Sequence, residues 1–230
     1  MLQKMKKIKE LKFDTLQVGT RNIKLALRRL RKFARQGNEL ELDMDGTIKS
    51  TAKNGGILDI NMVPERTNNV KVIILFDVGG SMDPFIKLCE ELFSAVKTEF
   101  KHLKYYYFHN CVYESVWKDN RRRTKERYEI NDIINKYSSD YKLIFVGDAT
   151  MAPYEITNAG GSIEHWNEEP GGVWIKRLCS HFTSVAWLNP IQDDHWDYTS
   201  SVCILRDLVE KRMFPLTLKG LEDAMSNLSK

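Results

Sequence analysis

The stretch VKVIILFDVGGSMDPF, Val70 to Phe85, decides the fold. Val72 to Phe76 is wholly apolar. A short apolar run bounded by turn signals reads as a strand buried on both faces, as in a parallel sheet. At Asp77 the run breaks into Gly79-Gly80 and then offers Ser81. Asp83 is a good N-cap and Pro84 suits a first helical turn, which predicts an amphipathic helix from Pro84 to about Lys101. A carboxylate and a hydroxyl therefore lie at the carboxyl end of a central strand. Open α/β sheets bind their ligands there.

Elsewhere the same alternation repeats. Before the central strand, Arg21 to Gln36 follows the helical period through Ile23, Leu27, Leu30 and Ala34, with Gly37 as its stop. Glu39 to Asp43 and Ile57 to Val63 alternate as half-exposed strands would, around a short helix ended by Gly55-Gly56, and Glu65 to Asn69 is a polar turn. After the central strand, KYYYFH (Lys104 to His109) predicts a strand, paired in a hairpin around Asn110-Cys111 with Val112 to Trp117. Thr124 leads into a helical stretch to about Tyr137. YKLIFV, Tyr141 to Val146, is a second buried strand, and it ends in Gly147-Asp148. Residues 157–172 read as a long polar loop. A helix to His181, a strand over Ser184 to Leu188 and two closing helices, Tyr198 to Val209 and Leu218 to Leu228, complete the pattern. Strands alternating with helices predict an α/β fold: a doubly wound, mainly parallel sheet with helices on both faces, plus an N-terminal helix.

Composition narrows the class. The chain has 230 residues and a formal net charge of +4. That figure hides an asymmetry, because residues 1–36 carry about +10 and the remainder about −6. We expect residues 1–38 to be a basic helical arm, the tail of a preceding helical region, and residues 39–230 to be the domain. Leucine and isoleucine at helical spacing in the arm favour a solvated helix over a nucleic-acid contact. The cysteines, Cys89, Cys111, Cys179 and Cys203, form no CxxC pair, which argues against a zinc site and a disulfide framework. With no signal-type apolar core and no run of membrane-spanning length, the expectation is a cytoplasmic protein without a membrane partner.

One constellation carries chemistry. Asp77-x-Gly79-x-Ser81, with Thr124 and Asp148, supplies two carboxylates from the ends of two buried strands and two hydroxyls. In a parallel sheet those strand ends share an edge. Hard cations such as Mg²⁺ take oxygen ligands and keep several waters, so this donor set suits them.

DVGGS, followed by a later Thr and a strand-end Asp, resembles the metal-ion-dependent adhesion site of von Willebrand factor A domains. Several stretches resemble the CoxE-like branch of intracellular von Willebrand A proteins: Asn54-Gly55-Gly56, FHNCVYE (Phe108 to Glu114), FVGDA (Phe145 to Ala149) and WLNP (Trp187 to Pro190). The likeness covers roughly residues 39–225. It implies a von Willebrand A, Rossmann-like domain. Ser81 and Thr124 would ligate Mg²⁺ or Mn²⁺ directly, and Asp77 and Asp148 directly or through water. Gly79 departs from the pattern, since it stands where DxSxS has a second metal-binding serine. The resemblance further implies a non-enzymatic, metal-dependent protein-binding adaptor. Its partners would be a MoxR-type AAA+ ATPase and a client protein that the pair remodels, such as a metalloenzyme in maturation.

Other motifs give competing readings. Asp43-Met44-Asp45-Gly46-Thr47 looks like DxDGT, the nucleophile motif of haloacid-dehalogenase-type phosphatases, with Asp43 attacking phosphorus and Asp45 as acid/base. That motif should follow a buried strand, yet Glu39, Glu41 and Asp43 alternate with Leu40 and Leu42, so a simple turn is preferred. His165-Trp166 and His195-Trp196 fall in loops on the edge expected to carry Asp77, where packed loop anchors are the usual role. KDNRRRTKER, Lys118 to Arg127, lacks stacking aromatics and reads as a solvated loop, which makes a nucleic-acid partner poorly supported.

Overall fold

The computed structural model describes residues 20–33, 40–64 and 70–229. The expectations for residues 1–19 of the basic arm, the stop at Gly37 and the turn at 65–69 lie outside the described residues. In chain order the elements are α1 (Thr20–Phe33), β1 (Leu40–Leu42), α2 (Met44–Lys53), β2 (Met62–Pro64), β3 (Lys71–Asp77), α3 (Ile86–Glu99), β4 (His102–Phe108), β5 (Ser115–Trp117) and β6 (Arg127–Glu129). There follow α4 (Ile130–Lys136), β7 (Lys142–Val146), α5 (Pro153–Thr157), α6 (Gly171–His181), β8 (Ser184–Asn189), α7 (Ser200–Leu208), β9 (Met213–Pro215) and α8 (Leu218–Leu228).

β3 is the centre of a seven-stranded sheet in the order β6-β5-β4-β3-β7-β8-β9. It pairs in parallel with β4 on one side and β7 on the other. β7–β8 and β8–β9 are parallel as well, and β5 alone runs against its neighbours. Successive strand side chains point to opposite faces, and β3 divides its apolar run accordingly. Val72, Ile74 and Phe76 join Leu92 and Val96 of α3 and Leu221 and Met225 of α8. Ile73 and Leu75 join Ile130 and Ile133 of α4, Ile175 and Leu178 of α6 and Leu205 of α7. Each such side chain, taken fully out of water, contributes about 1.5–3 kcal/mol before entropy is counted. The doubly wound reading is therefore the observed architecture.

α1 is part of this core. Its Ile23, Ala26 and Leu27 are fully buried in the layer formed with α3 and α8. Arg28 Nε bonds the Glu99 carboxylate of α3 at 3.1 Å.

Several local expectations need correction. Asp83 and Pro84 do not start the helix. They lie inside a 3₁₀ turn, Gly80–Phe85, and α3 begins at Ile86 without a side-chain cap. The segment after Thr124 is not helical at first; it pairs as β6 before α4 begins. β9 has only three residues and a terminal proline, too little pattern to read as a strand.

Residues 40–64 form a separate two-stranded antiparallel unit with α2. Its alternation is real, but the polar side chains face inward. Asn61 Nδ2 donates to Ser50 Oγ at 2.8 Å, and the Asp59 and Asn61 N–H groups donate to Thr51 and Thr47 hydroxyls. Leu42, Met44, Ile48, Leu58 and Ile60 are left exposed around a shallow apolar groove. α2 stops at Gly55 and Gly56, with φ of 65° and 90°, values that L side chains rarely adopt.

Candidate functional site

The site is built where β3 and β7 end side by side. Phe76 pairs with Val146, which sets Asp77 beside Gly147 and Asp148. From β3 the chain turns into α3 on one face, and from β7 it passes to α6 on the other. This is the point at which the winding reverses, and loops from adjacent strands part to leave a crevice there. The strands come close because residue 147 is glycine. A Cβ there would lie 2.8 Å from the Asp77 Cβ and 3.2 Å from its Oδ2.

Asp77 is 5% exposed. Its Oδ1 accepts the backbone N–H of Gly79 at 2.8 Å and of Asn110 at 2.9 Å. Its Oδ2 is buried with no hydrogen-bond partner. Burial pushes the Asp77 carboxyl up to about 7, the two backbone donors pull it back, and the charges of Asp148 and Glu155 push it further up. A buried carboxylate with one oxygen unpaired and like charges nearby is stabilised by binding a cation or a proton.

Asp148 is also buried, at 2% exposure. Its Oδ1 accepts the Thr150 N–H at 3.0 Å, and the Ser81 hydroxyl is near enough to help hold the carboxylate in its charged form. Burial raises its pKa as well, against the pull of those donors. The loop is fixed from behind. Asn189, fully buried at the end of β8, donates Nδ2–H to the Asp148 carbonyl at 2.9 Å and accepts the Ile191 N–H at 2.8 Å. Trp187 Nε1 donates to the Gly147 carbonyl at 2.8 Å while its ring stacks on Phe145. These bonds allow Ala149 its left-handed φ of 60°.

Three of the four residues read as ligands thus meet at one place: Asp77, Ser81 and Asp148. Thr124 does not join them. It is exposed in the connection between β5 and β6, with β4 between that hairpin and β3, and no hydrogen bond among the described residues links it to the other three. The reason is that β6, not a helix, follows it. Thr150 is the second hydroxyl beside Asp148, with its Oγ1 3.4 Å from the Asp148 carbonyl. Sequence reading also passed over Asn110 and Glu155. Asn110 follows β4 with φ of 56° and donates Nδ2–H to Glu155 Oε2 at 3.0 Å. Glu155 is 3% exposed, its Oε1 accepting the Ala152 N–H at 3.1 Å. An asparagine in the turn just past β4 was the available signal at position 110.

The crevice continues into a cleft of about 370 Å³ between β3, β4 and the start of α3, lined by Asp77, Gly79, Met82, Ile86, Phe93 and Tyr107 among others. Exposed aromatics stand in the connections that leave the same sheet edge: Tyr154 and Trp166 after β7, and Tyr198 after β8.

The other motifs fall elsewhere. Asp43 caps α2, its Oδ1 accepting the Gly46 N–H at 3.1 Å, and the strand before it belongs to the two-stranded unit, so DxDGT is a helix start. His165 lies 2.8 Å from the Glu114 carboxylate and packs edge-on against Tyr113, and Trp196 is buried, as loop anchors are, but Trp166 and His195 are exposed and do not fit that role. The basic run is an exposed loop in which Arg122 and Arg123 pair with Glu126 and Glu164.

Among the described residues, no group of three or more His, Cys, Asp or Glu side chains is arranged to hold a metal ion. The donors at Asp77, Ser81 and Asp148 are two carboxylates and a hydroxyl, a set that a hard cation completes with water. The unpaired, buried Asp77 Oδ2 fits that role. No helix among the described residues is long and apolar enough to cross a membrane. Residues 16–115 match the family model described as VWA domain containing CoxE-like protein. Comparison with curated proteins and with solved structures found no match.

Proposed function

We propose that this chain, which carries a von Willebrand A domain of the CoxE-like family, is a non-catalytic docking module whose Asp77–Ser81–Asp148 site takes Mg²⁺ or Mn²⁺ and uses it to bind partner proteins. The observation that carries this reading is the partnerless Oδ2 of Asp77, buried beside Asp148 at the sheet's switch point. Ser81, exposed at the mouth, would be the direct ligand, and the carboxylates would hold the ion directly or through water. Such an ion supplies an open coordination position for a carboxylate from a partner. Gly79 and Asn110 keep Asp77 oriented through their N–H groups, and Asn189 and Trp187 hold the Asp148 loop from behind.

Two features favour a protein as the ligand. The cleft beside the site has a largely apolar lining, with Met82, Ile86, Phe93 and Tyr107 in it. The exposed Tyr154, Trp166 and Tyr198 on the same edge are the residue types that anchor protein interfaces. By family likeness the partner is a MoxR-type AAA+ ATPase, and the client is a protein that the pair remodels.

The test is calorimetric titration of Mg²⁺ and Mn²⁺ into the wild type and into Asp77→Ala, followed by a binding assay with a MoxR-type ATPase in the presence of Mg²⁺ or chelator. Saturable binding lost in the variant, and ATPase capture lost with chelator, are the expected results. Equal titrations for both proteins would refute the cation site, and chelator-independent capture would refute its role in docking.

A further inference from the structure

Gly79 removes a hydroxyl from the site, and the structure shows what occupies the vacated place. A Cβ on residue 79 would run into the Asn110 Oδ1, with the Asp77 Oδ1 only 3.2 Å away. The side chain that a serine would bring to this spot is thus already replaced, in space, by the amide oxygen of another residue.

Asn110 is held so that this oxygen faces the site. Its φ of 56° is a conformation that asparagine tolerates better than most residues. Its backbone N–H is bound to Asp77 Oδ1 at 2.9 Å, which ties residue 110 to the carboxylate itself. Its Nδ2 donates to Glu155 Oε2 at 3.0 Å, which fixes the amide's orientation and turns Oδ1 toward residue 79. Glu155 is in turn buried and held by the Ala152 N–H. Among the described residues no hydrogen-bond donor reaches Asn110 Oδ1, so its lone pairs are available. Amide carbonyl oxygens are ordinary ligands for hard cations. The second, independent sign of a ligand is the Asp77 Oδ2, whose residue is more than nine-tenths buried and which has no partner.

We propose that Asn110 is a cation ligand of this site, its Oδ1 standing where the serine side chain missing at Gly79 would be. The proposal rests on the cation-site reading above and names a donor that reading lacks. It also explains why residue 79 is glycine: with Asn110 in place, nothing larger fits.

The experiment is Mn²⁺ titration by calorimetry on the wild type, Asn110→Gly, Gly79→Ser and the double variant Gly79→Ser/Asn110→Gly, with a thermal melt of each to confirm folding. Glycine keeps the left-handed backbone at 110 and removes the amide. We expect Asn110→Gly to weaken Mn²⁺ binding by about tenfold or more. Gly79→Ser alone should also weaken it, because the serine meets Asn110. The double variant should regain most of the affinity, since the hydroxyl then has both space and a vacancy to fill. Unchanged affinity in Asn110→Gly would overturn the proposal while leaving the cation site intact. Loss in Asn110→Gly without recovery in the double variant would overturn it too, because the amide would then be only a structural brace. A wild type that binds no Mn²⁺ would overturn the cation site itself.

Discussion

Replacing Asp77 by Asn separates the cost of the buried charge from its use. In the folded chain without a cation, the Asp77 carboxyl is raised from 3.8 to about 7, chiefly by burial. The sign follows from linkage. The folded state holds this proton more tightly than the unfolded chain, so stability is highest below pH about 4 and falls as pH rises toward 7. The loss by pH 8 is up to about 4 kcal/mol, at about 1.4 kcal/mol per pH unit. Asparagine is nearly isosteric and keeps an oxygen for the Gly79 and Asn110 N–H groups. The value of about 7 already includes what those two donors do for the charged form. Asp77→Asn should therefore be more stable than the wild type by up to about 4 kcal/mol at pH 8 in chelator, and the difference should shrink to about 1 kcal/mol near pH 4.5. Urea denaturation at the two pH values reads both numbers. A variant less stable than the wild type at pH 8 in chelator would refute the reasoning. It would mean that Asp77 serves as a loop cap whose charge is already satisfied.

Three further outcomes follow from the geometry. Gly147→Ala places a Cβ 2.8 Å from the Asp77 Cβ, with neither strand free to move, and should cost about 1–3 kcal/mol in urea denaturation. Trp187→Phe keeps the stacking on Phe145 but strands the buried Gly147 carbonyl, and should cost about 1–3 kcal/mol while weakening any Mg²⁺ response. Asp43→Asn should leave hydrolysis of a generic phosphate ester at the wild-type level with and without Mg²⁺, because Asp43 caps a surface helix; a selective loss would revive the phosphatase reading.

The layered fold was legible because β3, β7 and β8 are buried on both faces, and such strands write themselves as unbroken apolar runs. The strand-end aspartates were legible for the same reason: a charge that stops such a run marks its end. What stayed hidden depends on partners distant in sequence. Asn110 and Glu155 are 45 residues apart, and neither position has a motif without the other. Thr124 was placed by its position before an expected helix and its spacing from Asp148, and a three-residue strand, too short for any periodicity, follows it instead. In the 40–64 unit the alternation was visible but its direction was not. Thr47, Ser50 and Asn61 find one another's hydrogen bonds inside, which leaves the apolar set outward.

The same carboxylate that burdens the domain without a cation should make its stability report on cation binding. A ligand that binds only the folded state stabilises it by about 2.7 kcal/mol at one hundred times its Kd. For a chain of this size, 1 kcal/mol moves the melting temperature by roughly 2–4 °C. Mg²⁺ at that excess should therefore raise Tm by roughly 5–11 °C at pH 8. The rise should shrink as the pH falls from 7 toward 5, where Asp77 holds a proton that the cation must displace. Asp77→Asn removes the burden and the attraction together, so its Tm should be higher than that of the wild type in chelator and indifferent to Mg²⁺. A surface cation effect would instead move both proteins alike and would fade with added monovalent salt. Differential scanning fluorimetry across pH, chelator and salt distinguishes the two. A Mg²⁺ shift of equal size in both proteins would remove the cation from the site and leave Asp77 a strained structural residue.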